Sequence, residues 1–413
     1  MAISTSIATR TATPKRAVVS ISNETEFGIR GVQASKVLAA NSCRRNRLDL
    51  SPEVNTIHAI ESKVSMAANV EELNHRLRRS VEQLSNITRQ ENGQLYGGGV
   101  IFEDVSFIEP IRYRTTSLSE RCAKSFLDIN GHQIIIGVGD QQLGFEIYNT
   151  LRNLNPVLLA ISSSSPYTYH DGEVRETGYQ SSRIIRYSKL LERFPSSMLE
   201  SPQLNSYEEY FETLRSISRV VKERLRNGML DANWEELTKI RTNEDGSTYS
   251  YYPFRSLEPH QIYWFARPRP DFVNNESEFV LELRVPDTPI TISSMQTLNA
   301  FVIGLTYFIA KNGVESIPVP FNGTFDDISQ TAKSSTSTQI NNTNMSNVIS
   351  TLVRYSYTGL LEEGFVEDAT RVANINENYI KSNNTQAIQT AMRNSEKLPP
   401  SVIINYLAGE LRK

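Results

Sequence analysis

The segment EFVLELRVPDTP (278–289) constrains the fold more than any other stretch of the chain. Read as a strand, it puts Phe279, Leu281 and Leu283 on one face and Glu282 and Arg284 on the other, because side chains two apart point the same way. Three large apolar residues require that strand to pack on a core. A carboxylate and a guanidinium on its other face then need partners, since an unpaired buried charge is very costly. An intra-sheet ion pair is one solution. The other is a sheet face that binds metal and phosphate, with carboxylates for Mg²⁺ and guanidinium for phosphate oxygens.

Further acids occupy similar settings. In AVVSISNETEFGIRG (17–31) the alternation from Ser22 onward places Glu24 and Glu26 on one face and Phe27 on the other. Glu61 lies in the apolar run TIHAIESKV. The segment GHQIIIGVGD (131–140) offers a different chemistry, a strand entering a glycine-rich phosphate loop. A dinucleotide fingerprint requires G-x-G-x-x-G and an acid about 20 residues further on. Here Gly137, Gly139 and Gly144 give G-x-G-x-x-x-x-G, and SSSSP stands where the acid belongs. The fingerprint fails. Asp140 instead reads as the N-cap of the following helix, and the strand presents Gln133 to whatever site the sheet carries.

Around these strands the pattern is mixed. Asn69 with Glu72 forms a capping box that opens a helix at about 69–89, and a helix of about 13 residues follows Asp140. Residues 204–228 read as helical, as does a segment capped near Ser293 or Ser294 and ended at Asn312-Gly313. Strands are expected at 94–102 and 262–270, and a polar-aromatic insertion or hairpin at 241–258. Residues 323–344 are poor in large apolar side chains and read as a linker into helices at about 346–361, 364–381 and 400–412. Strands scattered among long helices without a βαβ rhythm indicate an α+β fold. The expected organisation is a disordered tail at 1–16, a main unit at 17–322, and a helical C-terminal extension at 323–413 packed on it.

Composition narrows the partners. Among 413 residues, 43 basic and 46 acidic side chains nearly cancel, which argues against a nucleic-acid surface and for small molecules or protein. The two cysteines, Cys43 and Cys122, support neither a disulfide framework nor a Cys-based metal site and suit a reducing cytoplasm. No run of about 18 apolar residues suggests a membrane span. AFVIGLTYFIA (300–310) reads as a buried helix, and a homo-oligomer is compatible with the chain.

Five segments in order resemble the glutamate–cysteine ligase type 2 family of carboxylate–amine ligases. PVLLAISSSSPYTYHDGEVRETGYQSSR is similar to the family's PLLLALSANSPF…TGYASYRS run, and RPRP…FVLELRVPDTP to R-P…T-V-E-I-R-V-x-D-T-P. NETEFGIRG resembles G-V-E-x-E-F, and NGHQIIIGVGD resembles G-x-H-V-H-V-G-V-x-D. The 11-residue step from Glu61 to Glu72-Leu73 matches the family's spacing. The resemblance covers about 20–310. It implies a curved, mainly antiparallel, glutamine-synthetase-like sheet forming a funnel for ATP, Mg²⁺ and glutamate. It further implies that a glutamate γ-carboxylate is activated as an acyl phosphate and passed to an amine such as cysteine. Carried over by position, Glu24, Glu26, Glu61 and Glu282 would be metal ligands. Arg284 would contact the transferring phosphoryl, while Arg183, Arg267 and Gln133 would bind substrate carboxylate or phosphate. This chain departs from the family where relatives place two histidines, because Gln133 and Ile135 stand there. A ligase for another amine or a peptide, or a non-catalytic binding or scaffold protein on the same fold, is the alternative.

Overall fold

The computed structural model describes residues 17–52, 58–102, 129–170, 172–191, 196–226, 239–242, 248–251, 264–273, 277–317, 319–375 and 399–412. The expected tail at 1–16 and most of the 241–258 insertion lie outside the described residues, as do 376–381 of the expected 364–381 helix, which in the described residues ends at Ala373 with Asn374 as its C-cap.

The strands among the described residues are β1 (Val18–Arg30), β2 (Asp49–Pro52), β3 (Ala59–Ala67), β4 (Gln94–Tyr96), β5 (His132–Val138), β6 (Tyr167–His170), β7 (Glu173–Glu176), β8 (Lys239–Thr242), β9 (Thr248–Tyr251), β10 (Ala266–Pro268), β11 (Phe279–Leu283), and the short paired β12 (Gln339–Ile340) and β13 (Thr343–Asn344). The helices are α1 (Ala34–Ser42), α2 (Val70–Gln90), α3 (Gln141–Asn153), α4 (Asn155–Ser162), α5 (Ser182–Leu191), α6 (Tyr207–Arg226), α7 (Ile292–Asn312), α8 (Phe325–Ser334), α9 (Met345–Glu362), α10 (Val366–Ala373) and α11 (Pro400–Glu410). Seven strands form one open, antiparallel sheet in the order β10-β11-β5-β1-β3-β2, with β4 also on β1. β6–β7 and β8–β9 are separate hairpins. The α+β expectation and the mainly antiparallel sheet agree with this architecture.

Period-two patterning sorts the sheet into two faces. Ile21, Phe27 and Ile29 of β1, Ile134 and Ile136 of β5, and Leu281 and Leu283 of β11 are buried in one core with α2, α3 and α7. Helix α3 begins where Asp140 accepts a hydrogen bond from the Leu143 amide at 2.8 Å, as a capping residue does. Gly144 then faces Phe279 so closely that a Cβ would come within 2.3 Å of it. The third glycine of the failed fingerprint therefore serves helix–sheet packing, and Phe145 packs on the same ring at 4.6 Å between centroids.

α7 is buried nearly all round, as its apolar run foretold. Its N-cap is Thr291 rather than Ser293 or Ser294. Thr291 has extended backbone and accepts from the Ser294 amide at 3.0 Å, so the helix starts two or three residues earlier than the serines suggest. Long and apolar enough to cross a bilayer, this helix nonetheless has 89% of its most apolar window buried in the molecule.

The expected linker at 323–344 is largely folded. Thr324 caps α8 through the Asp327 amide, and Phe325, Ile328 and Ala332 supply a narrow apolar stripe that a short helix can bury. α9 crosses α7 at Gly359, where a Cβ would lie 2.2 Å from the Gly304 carbonyl oxygen. Gly364, at φ 87°, breaks the chain between α9 and α10, so α10 starts at Val366. The strand expected at 94–102 shortens to β4, and that expected at 262–270 to β10. α11 places Ile403, Ile404 and Leu407 in a second cluster with Tyr96, Phe102 and Tyr167.

Candidate active site

The face of the sheet turned away from α2, α3 and α7 carries the polar residues. Register sets them in rows: Glu26 opposite Glu61, Glu24 opposite both Lys63 and Gln133, and Glu282 opposite both Arg267 and Ile135. The structure thus brings together Glu24, Glu26, Glu61, Gln133, Glu282 and Arg267 on five adjacent strands. Arg284 follows Leu283 on the same side as Glu282, with its Nε 3.7 Å from Glu282 Oε1.

Two charge zones divide this face. The acidic zone centres on β1 and β3. Lys63 Nζ lies 3.1 Å from Glu24 and 3.3 Å from Glu61, and Ser51 donates to Glu61 at 2.7 Å. Glu26 accepts from the Gly131 amide at 2.6 Å and from the Gln133 amide group at 3.3 Å. Burial, reinforced by Glu61 and Glu282 and opposed by Lys63, pushes the Glu24 carboxyl up to about 7. Burial does the same to Glu26, also to about 7, with Arg183 pulling down and Glu61 adding to the rise.

The basic zone centres on β10 and β11. Glu282 Oε2 accepts from Arg267 and, at 2.9 Å, from Arg269. Burial would raise this carboxyl, but Arg267, Arg284 and Arg269 together hold it at about 2. One acid thus positions three guanidinium groups on the sheet. Its second oxygen, Oε1, is buried and accepts no hydrogen bond.

Arg183, at the start of α5, enters from the side. Its guanidinium donates to the Val285 and Arg284 carbonyls at 3.0 and 2.9 Å. It lies so close to β5 that a Cβ on Gly131 would approach its Nη2 to 2.7 Å. Asp287 fixes the approach: it accepts from the Ser164 amide at 3.0 Å and from the Ser165 and Ser181 hydroxyls at 2.6 and 2.9 Å. The serine-rich turn of the sequence is therefore a scaffold for Arg183.

Beneath the site, on the opposite face, His132 is fully buried between Thr25 Oγ1 at 2.8 Å and Asn299 Oδ1 at 2.9 Å. Burial pushes its imidazole down to about 4. Asn299 continues to Asn74, which donates to Asp368 of α10 at 2.7 Å.

Sequence reasoning missed Lys63, Arg269, Gly131 and Asp287. The first two carried a usable signal, since Lys63 alternates with Glu61 and Arg269 with Arg267.

The chain matches the profile of glutamate–cysteine ligase family 2 over residues 18–312. It belongs to that family. A glutamate–cysteine ligase from Francisella tularensis in complex with AMP shares its fold at a TM-score of 0.62 and 12% identity, over 96% of this chain and 89% of the other. A bifunctional glutathione synthetase from Pasteurella multocida aligns at 0.55 and 12% identity, over 95% of this chain and 53% of the other. A search of curated protein sequences finds no match. Family membership makes the protein a carboxylate–amine ligase by class, and its fold is shared with the Francisella ligase.

The residues present also fit a divalent cation. Glu24 and Glu26 are raised by burial and by neighbouring acids, and Glu282 Oε1 is enclosed without a donor. All-oxygen donors suit a hard ion such as Mg²⁺. Among the described residues no three His, Cys, Asp or Glu side chains form a ready-made cage, and the Lys63 ammonium pairs with both Glu24 and Glu61.

Proposed function

We propose that the protein is an ATP-dependent ligase that activates the γ-carboxylate of glutamate, or of a glutamate-like substrate, and joins it to an amine such as cysteine. The observation that carries this reading is the pairing, on one sheet face, of an acidic zone with a zone of three arginines anchored by Glu282. Phosphoryl transfer to a carboxylate needs both: acids to hold metal, and guanidinium groups to meet the charge on the transferring group.

Glu24, Glu26, Glu61 and Glu282 Oε1 would hold Mg²⁺, which when bound supplies charge neutralisation for the polyphosphate. Arg284 and Arg267 would orient the phosphoryl and the substrate carboxylate, kept in place by Glu282. Arg183, set by Asp287, would bind the substrate from the β5 side, with Gln133 beside it. The carboxylate oxygen attacks the γ-phosphorus and ADP leaves. The amine nitrogen then attacks the carbonyl carbon of the acyl phosphate, and phosphate departs as the amide forms. Glu24 and Glu26, protonated up to about pH 7, must release protons for metal to bind, so Mg²⁺ affinity should rise with pH through that value. Residues 17–322 form the catalytic unit in this reading, and 323–413 a helical extension of it.

Ile135 favours a second reading. It stands between Ser22 and Glu282 and contributes no ligand from the centre of β5, as a binding protein that retains the fold without turnover would allow. Phosphate release from Mg-ATP, measured with glutamate and a panel of amines including cysteine, separates the two. Amine-stimulated release supports the ligase; tight, inert ATP binding supports the second reading.

A further inference from the structure

Two basic stretches, RRNR (44–47) and RLRR (76–79), play no part in the site above. They converge on a cavity of about 430 Å³ lined by Arg47, Asp49, Lys63, Arg76, Arg79 and Gln83, among others. That volume falls in the range of small-molecule pockets, roughly 300–1,000 Å³. The cavity opens where β2 begins, at Asp49 opposite Lys63, and beyond that point β3 pairs with no strand on this side among the described residues. Ser80 and Gln83 of α2 also line it.

Four cationic side chains meet a single acid here, Asp49. Two of them are already occupied. Arg76 donates to the Ser65 hydroxyl at 3.0 Å and the Met66 carbonyl at 2.6 Å and pairs with Glu72, while Lys63 bridges Glu24 and Glu61. Arg47 and Arg79 make no hydrogen bond or ion pair among the described residues. The backbone on either side of Arg47 is nevertheless pinned. Gln83 donates to the Asn46 carbonyl at 2.9 Å, and Asn41 both donates to the Leu48 carbonyl at 2.9 Å and accepts from its amide at 3.0 Å. Two guanidinium groups without a partner among the described residues therefore line a concave surface, on a chain whose overall charge is negative. Arginine forks match the oxygens of phosphate and carboxylate in pairs.

We propose that this cavity binds a small oxyanion, a phosphate- or carboxylate-bearing molecule, gripped by Arg47 and Arg79 against the wall formed by Arg76 and Gln83. Asp49 limits the affinity. The inference stands apart from the ligase reading, since it requires neither metal nor turnover.

The test is calorimetric titration of the full chain with inorganic phosphate, pyrophosphate and citrate, at low ionic strength with EDTA present. Saturable binding is expected, with one equivalent of it dependent on Arg47 and Arg79. Arg47→Ala/Arg79→Ala should weaken it at least tenfold and Asp49→Asn should tighten it two- to threefold. Arg175→Ala/Arg354→Ala, with the same charge change on exposed positions elsewhere, should leave it unchanged. A preference for the phosphates over citrate supports a phosphoryl ligand, and equal binding supports a site that reads charge alone. Absence of saturable heat with all three anions overturns the proposal, as does an equal loss in the control pair. Amine-dependent turnover is not read in this experiment, so either idea can fail without the other.

Discussion

Glu26→Gln should make the protein more stable at alkaline pH while removing a group on which the proposed chemistry relies. Glu26 accepts from the Gly131 amide and from Gln133, and a glutamine at this position retains an acceptor for the first of these. Its carboxyl titrates near 7 in the folded chain, against 4.5 for an ordinary glutamate. A group raised on folding contributes stability that is fully present below its unfolded value and lost as pH rises through its folded one. The native carboxylate is thus a liability that grows between pH 4.5 and 7. At 1.36 kcal/mol per pH unit the loss amounts to about 3 kcal/mol at pH 8, an upper figure because Glu24 and Glu61 titrate in concert with it. Urea denaturation of wild type and variant at pH 4, 5.5, 7 and 8, without metal, reads the difference directly. The expected result is near-equal stability at pH 4 and a variant more stable by about 2–3 kcal/mol at pH 8. A variant that is less stable at pH 8, or a difference independent of pH, would refute the assignment of Glu26 as a strained, buried acid.

Other outcomes follow from the same geometry. Glu282→Gln should abolish turnover and lower stability by about 3–5 kcal/mol, because three guanidinium groups lose their shared counter-charge; denaturation beside a turnover assay checks both. His132, held neutral at about 4, should cost the folded state stability as pH falls from about 6.5 toward 4, and a His132→Gln variant should lose that pH dependence, seen as a flatter acid limb in thermal melts. Gly359→Ala should push α9 off α7, destabilising the chain by about 1–3 kcal/mol through overpacking against the Gly304 carbonyl, read by denaturation midpoint.

Much of this site was legible in the alternation of its strands. Two-residue spacing alone put Glu24 with Glu26 and Glu282 with Arg284, and it fixed which side of β1 Phe27 would bury. The same rule would have found Lys63 and Arg269 had it been carried one step past Glu61 and Arg267. Asp287 and Gly131 were not accessible in that way. Asp287 lies beyond the end of β11, where periodicity stops, and its role depends on serines more than 100 residues away in sequence. Gly131 matters because Arg183 passes over it, a tertiary fact with no local signature. The expected linker at 323–344 failed for a related reason: α8 buries only a few apolar residues, too sparse a pattern to stand out from a polar loop.

The proposed chemistry has this sheet face transfer a phosphoryl group to a carboxylate and then form an amide. Phosphate release from Mg-ATP should be slow with glutamate alone and should rise when the correct amine is added, with the amide product formed in equal amount. Tight ATP binding with no amine-stimulated release across the panel, cysteine included, would contradict it.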